Sequence, residues 1–395
     1  MLRESCSLVI LSSSLLAGGA GCRQTTSLVG AVVCQDTHLH LAFGRPGRWT
    51  FDGIDARVPP RIRPGTYASA TYGVRFLDPA NLGPHRYRYA WSEQNGIIYT
   101  CRAGHIDIAH LRKAADWTAY LAAVTLERME AGHTQFQFKL REPSVYHVAL
   151  TFPPDWDSRE ATERERIARE VARDVGQHLA YTALTWHEIL TWFGFRPRGY
   201  KAEFPSAFSW EDNYSNLLGT HIAAAALGQE GLPYDEAVTG LLQQRLDELE
   251  PQSAEVARQA SESMRGSWYS RGGLVTRIYK RNLDTGWDDG YVTPCLVPGV
   301  AACGGTEPLP LAAPALSSLA RYGFSIAVEI EGRVWEQGKI LAALDAQGCP
   351  PVRRLDPRVH FPAILAYCRT QWAGDLMLEN EQGPSPVETG PVIVR

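Results

Sequence analysis

The 395-residue chain predicts an α+β fold, with a helical centre flanked by short antiparallel strands and a smaller C-terminal α/β segment. Three observations carry this expectation. Residues 106–130 contain neither Gly nor Pro and are dominated by good helix formers. Residues 159–193 continue almost unbroken in the same way, solvated in their first half and apolar in their second. The flanking segments are instead rich in Gly, Pro and aromatics, with short runs of strand composition. With 45% hydrophobic and 21% charged residues the composition is that of a folded body, not of a fibre or a disordered tail.

Taken in order, residues 25–104 read as strands and loops, with β-like runs at 68–76 and 96–101. The helix 106–130 comes next. Two strands, 134–140 and 144–152, then flank the turn Arg141-Glu142-Pro143 as a hairpin. Asp157 or Ser158 is placed to cap a helix over 159–193, and Gly194 offers its stop. Another helix is expected from Ser209 through 227, and Pro233 introduces further helix through 249 and on to 264. Residues 275–300 return to strand and turn composition, 323–330 read as a strand and 360–372 as a helix. The domain organisation that follows is a signal peptide at 1–21, a tether at 22–34, a main α+β domain at 35–304, a Pro-rich linker at 305–314 and a C-terminal segment, 315–395, packed on the main domain.

The amino terminus has the order of an export signal. Arg3 precedes an apolar and small-residue run that closes on Gly19-Ala20-Gly21-Cys22. The run is about 15 residues long where a spanning helix needs roughly 20, which favours a cleaved signal over a retained anchor. Small residues before Cys22 fit cleavage by a lipoprotein signal peptidase, with Cys22 as the lipid-attachment site, although Gly19 stands where a larger aliphatic residue is usual. The expected location is therefore the periplasmic side of a bacterial membrane, with the membrane itself as a partner through the lipid. Loss of residues 1–21 removes Arg3 and Glu4 together, so the formal charge stays at −4. Such a balance gives no footing for nucleic acid, and no P-loop is present for a nucleotide. Cys34, Cys101, Cys295, Cys303, Cys349 and Cys368 remain, an even set that can close disulfides outside the cytoplasm in several alternative pairings or stay as buried thiols.

The residues that can carry chemistry sit in the helical centre. Glu188 is the one carboxylate in the apolar stretch 175–193 and His187 precedes it. A buried carboxylate is costly unless it meets a cation, a metal or a hydrogen-bond donor. With Thr191 the sequence reads HExxT, lacking the second histidine of a zinc-protease helix, so the pair is either internally hydrogen bonded or completed by ligands from elsewhere. Asp107 and His110, three apart at the start of the first helix, supply a carboxylate and an imidazole of the right kind, while Asp107 also suits a helix start by itself. Together with His187 and Glu188 they can form a Zn²⁺-like site with room for water. Ser209 and Asp212 have capping-box spacing at the start of the next helix, which leaves Glu211 as a reserve ligand and Asn216 as a donor to substrate. In Asp36-Thr37-His38-Leu39-His40, His38 and His40 on one side of a possible strand form a weaker metal candidate, and Cys101 with His105 or His110 a nucleophilic alternative.

The blocks GHIDIAHLRKAAD, WHEILTWFG and FSWEDNYSNLLGTHIA resemble those of a bacterial family of exported proteins and lipoproteins, the domain of unknown function 4056 family. The resemblance spans roughly residues 35–300 and implies that Asp107, His110, His187, Glu188, Glu211 and Asp212 belong to motif blocks. It carries no catalytic assignment. The functional expectation is a cell-envelope metal-dependent hydrolase acting on a peptide, glycan or lipid ester, with Asp107, His110, His187 and Glu211 as metal ligands, Zn²⁺ as the cofactor and Glu188 as the general base. The competing expectation is a non-catalytic envelope lipoprotein that binds glycan or a protein partner, a role its eleven Trp and sixteen Tyr would also suit.

Overall fold

Helix α1, Ile108–Glu130, is buried along most of its length and lies between α2, Ala161–Trp192, and α3, Asp212–Leu227. In this computed structural model residues 49–61, 63, 70, 71, 74–196, 204–272 and 275–382 are described. Cys22, the signal and tether segments, and Asp36, His38 and His40 lie outside them. Among the described residues no helix is long and apolar enough to cross a membrane.

The close approach of the three helices depends on small residues. A Cβ on Gly176 would meet the backbone and Cβ of Ala122, and one on Gly219 would collide with the Leu111 carbonyl. Glycine at both places lets α2 and α3 come down onto α1 without displacing it. Around this centre Ile97–Thr100 (β1) and Gly104–Asp107 (β2) form an antiparallel pair, and β2 runs directly into α1. The expected hairpin is present as Gln135–Phe138 (β3) and Val145–Thr151 (β4), and Ser325–Glu331 (β9) from the C-terminal segment adds to β4 to complete a three-stranded antiparallel sheet.

Tyr234–Glu248 (α4) and Ala254–Ser263 (α5) follow α3. The single helix expected from Pro233 to 264 is thus broken, at Glu250 with φ 58° followed by Pro251. Short antiparallel pairs follow, Tyr269–Gly272 (β5) with Val275–Ile278 (β6) and Tyr291–Val292 (β7) with Leu311–Ala312 (β8), so part of the Pro-rich stretch is hydrogen bonded to the main body. Ser317–Tyr322 (α6), Gln337–Ala346 (α7) and Pro357–Gln382 (α8) complete the C-terminal segment. The architecture is α+β, as expected. Ile106 and Asp107, however, belong to a strand and a helix cap instead of the first helical turn, because β1 offers them a pairing edge.

Buried charge in the N-terminal part is internally compensated. Arg63 pairs with Glu93 and Asp116, each at 2.7 Å, and Arg112 donates to the carbonyls of Leu82 and Gly83. These bonds fasten the loops before β1 to α1. A disulfide joins Cys101, just after β1, to Cys303, and Cys349 is disulfide-bonded as well. The thiols of Cys295 and Cys368 are free.

Candidate metal centre

Asp107 ends β2 and caps α1, and that position divides the work of its two oxygens. Oδ1 accepts hydrogen bonds from the backbone N–H groups of Ala109 and His110, two of the donors a helix start leaves over. Oδ2 lies 2.7 Å from His110 Nδ1. The backbone N–H of Asp107 donates to Ser215 Oγ, which in turn donates to the Glu211 carbonyl, so the start of α1 is bonded to the start of α3.

At that start Asp212 approaches His110 from the other side, with Oδ1 3.6 Å from Nδ1. Its second oxygen accepts the Ser209 hydroxyl at 2.6 Å. The Ser209–Asp212 spacing therefore joins two side chains and does not form a capping box; Glu211 occupies the cap position and its side chain makes no cap bond. Ligand atoms of Asp107, His110 and Asp212 all lie within 4.8 Å of one another. Four-coordinate Zn²⁺ with bonds near 2 Å holds its donors about 3.3 Å apart, a separation that the observed 2.7 and 3.6 Å bracket.

Two more carboxylates bear on the cluster. Glu211 Oε1 accepts the Ala70 N–H, while Oε2 is buried with no hydrogen-bond partner among the described residues. Glu188 projects from α2, and its Oε2 accepts the Phe208 N–H at 2.7 Å. Asn216, one turn beyond Asp212, keeps Oδ1 buried and likewise without a hydrogen bond among the described residues.

So many acids in one place disturb each other's ionisation. Burial, then Asp212 and Asp107, push the Glu211 carboxyl well above the usual range. Burial pushes Asp212 up to about 6, with Glu188 and Asp107 adding to the effect and His110 opposing it. Burial and Lys113 work against a charged His110, but Asp107 and Asp212 outweigh them and raise its pKa. Four carboxyls around one imidazole can be neutralised by retained protons or by a cation, and the exposed edge of His110, 23% of its side chain, leaves an approach from outside.

His187 does not join this cluster. Its Nδ1 lies 2.6 Å from Glu142 Oε1, in the turn between β3 and β4. Burial opposes the His187 charge, but the bond to Glu142 and its charge prevail and raise the pKa. Burial raises Glu142 in turn, and His187 more than reverses it. Thr191, where a zinc protease has its second histidine, donates its hydroxyl back to the His187 carbonyl within α2. Of the residues expected from sequence, Asp107 and His110 converge, Glu188 and Glu211 lie in their electrostatic neighbourhood, and His187 turns to another partner while Asp212 completes the group.

The cysteine alternative is overturned, because Cys101 Sγ is tied up in the disulfide. His105 is no base for it either: Nε2 contacts the Ala257 carbonyl, Trp210 donates to Nδ1, and burial pulls the pKa down to about 4. Sequence reasoning missed Glu142 as a functional neighbour. A carboxylate beside proline in a hairpin turn is ordinarily solvated, and only packing against α2 buries it.

A search of curated proteins and a search of solved structures each found no match to the chain. A family model does match, over residues 77–286, more than half the chain and a span that contains Asp107, His110, Glu142, His187, Glu188, Glu211 and Asp212. The helices that build the cluster are thus the matched region, and the chain belongs to the family described as "Protein of unknown function (DUF4056)".

Proposed function

We propose that this protein is a metal-dependent hydrolase of the bacterial cell envelope. The observation that carries the reading is the convergence of Asp107, His110 and Asp212 at metal-ligand spacing on a partly open edge of the helical centre. Glu211, whose Oε2 is buried without a hydrogen bond among the described residues and whose carboxyl feels the charges of Asp107 and Asp212, is the reserve donor. One nitrogen and several carboxylate oxygens suit Zn²⁺ or another divalent first-row ion. A bound Zn²⁺ would supply Lewis acidity and an acidified water. Glu188 serves as the base that takes the water's proton, with Phe208 N–H fixing its other oxygen.

Support for the envelope comes from the leader ending at Cys22 and from the Cys101–Cys303 bond, which belongs to an oxidising compartment. Cys22→Ser should release the protein from membranes or leave it unprocessed in cell fractionation; unchanged processing and retention would remove the lipid anchor. For the chemistry, Glu188→Gln should keep the metal and the fold while hydrolysis falls by about 10²–10⁴-fold, the usual worth of a general base. Undiminished turnover in that variant would take the base role from Glu188.

A further inference from the structure

The carboxylates of Asp107 and Asp212 each have two oxygens, and in both the fold occupies one of them. Asp107 Oδ1 takes the helix-start N–H groups of Ala109 and His110, and Oδ2 faces His110 Nδ1 at 2.7 Å. In Asp212 it is Oδ2 that is taken, by the Ser209 hydroxyl at 2.6 Å, and Oδ1 that lies 3.6 Å from the same nitrogen. The first arrangement is what a helix cap requires. The second is not, because Ser209 precedes α3 and its buried hydroxyl is given to a side chain instead of the helix backbone.

Delivering that hydroxyl has a cost in backbone conformation. Phe208, directly before it, is buried with φ 52°, in the left-handed region that a bulky side chain rarely adopts. Its carbonyl accepts the Asn282 N–H at 2.8 Å, the Ala207 carbonyl accepts the Arg281 guanidinium, and Arg281 in turn lies over the Trp192 ring at 5.1 Å. Such strain persists only where the surrounding structure over-determines it, and it concentrates at active sites and ligand clamps. Here the turn sends the Phe208 N–H to Glu188 on α2 at 2.7 Å and the next side chain to Asp212 on α3. Two successive residues thus orient the proposed base and a ligand carboxylate together.

We propose that Ser209 is a positioning residue of the metal centre, holding Asp212 to one ligand oxygen so that the ion keeps an open position for water and substrate. With Asp107 restricted in the same way by its cap bonds, Asp107 Oδ2, His110 Nδ1 and Asp212 Oδ1 are three single-atom donors. Three protein donors with an open fourth position are the arrangement of catalytic zinc, whereas Ca²⁺ takes about six to eight oxygens and often uses both of a carboxylate. The hydroxyl therefore also selects against the larger ion. The inference rests on the metal reading above and adds to it which oxygen binds and what holds it there.

The test titrates the metal-stripped mature chain with Zn²⁺ and with Ca²⁺ by calorimetry, for wild type, Ser209→Ala, Ser209→Thr and Ser144→Ala. Ser144 is an equally buried serine whose hydroxyl oxygen accepts the Trp186 indole N–H at 3.0 Å, so its loss is the control for lowered stability alone. Ser209→Ala should weaken Zn²⁺ binding about 10–100-fold, the usual effect of removing a group that orients a ligand, and should narrow the preference for Zn²⁺ over Ca²⁺. Ser209→Cys, which keeps the volume but donates weakly, gives the same reading if the alanine variant does not fold. Ser209→Thr, which keeps the hydroxyl, should restore Zn²⁺ binding, and Ser144→Ala should lower the melting temperature with Zn²⁺ binding unchanged. A Ser209→Ala protein that binds Zn²⁺ as tightly as wild type, or with the same preference over Ca²⁺, would overturn the positioning role while leaving the metal site standing. An equal loss of Zn²⁺ binding in Ser144→Ala would do the same. A wild type that binds no Zn²⁺ would overturn the metal reading and this inference with it.

Discussion

At the scale of single residues, the two histidines of the helical centre have different carboxylate partners. His110 sits between two acids that both approach Nδ1, whereas His187 has Glu142 at 2.6 Å. His187→Ala should therefore leave the metal in place while costing about 1–3 kcal/mol, because the Glu142 carboxylate stays buried without its partner. The pH dependence has a definite sign. His187 is raised above its ordinary 6.5, so its contribution is full below that value and is lost as pH rises through the folded-state pKa. Glu142 is lowered below its ordinary 4.5, so its contribution is full above that value and is lost as pH falls through the folded-state pKa. The difference in melting temperature between wild type and His187→Ala should be largest between 4.5 and 6.5 and shrink on either side. Loss of metal on this substitution would return His187 to the ligand set. Sequence made Asp107, His110 and Glu188 legible because each is a polar residue in an apolar or motif-like setting. It could not tell Asp212 from a helix cap, since the same Ser-x-x-Asp spacing serves either a backbone bond or the side-chain bond observed here.

At the scale of elements, the site depends on how closely α3 lies against α1. Gly219 lies two turns beyond Asp212 on α3, where the Leu111 carbonyl leaves no space for a methyl group. Gly219→Ala should cost about 1–3 kcal/mol by overpacking, despite the better helix propensity of Ala. The shift it forces would also move Asp212 away from His110, so chemical denaturation and metal affinity should fall together. Full stability in this variant would show that α3 is free to move outward. The long helices were readable from the sequence, since α1 has neither Gly nor Pro and α2 has Gly176 as its one weak helix former of that kind over many turns. Their starts were less so. Asp107 caps α1 from the end of β2 because Ile97 pairs with it across the hairpin, a contact that local propensity does not contain. The break between α4 and α5 was signalled by Pro251, but the positive φ of Glu250 that makes the turn has no such marker.

At the scale of the whole molecule, distant parts of the chain converge on the helical centre. β9 completes the sheet that begins with the β3–β4 hairpin, and the Cys101–Cys303 bond closes a sequence separation of 202 residues next to β1. The turn that carries Glu142 is thus backed by a sheet whose third strand comes from beyond the Pro-rich stretch. Such joins were not legible in advance, because an even cysteine count permits many pairings and a strand does not name its neighbour. The central claim is that this scaffold exists to hold a divalent cation between α1 and α3. Its most direct test is elemental analysis of the purified mature protein, followed by titration of the metal-stripped chain with Zn²⁺, for wild type and His110→Ala. The account predicts close to one bound ion per chain in wild type, a rise in melting temperature with added Zn²⁺, and the loss of both in His110→Ala. A fully folded wild type that carries no stoichiometric metal, and whose melting temperature ignores Zn²⁺, would contradict it.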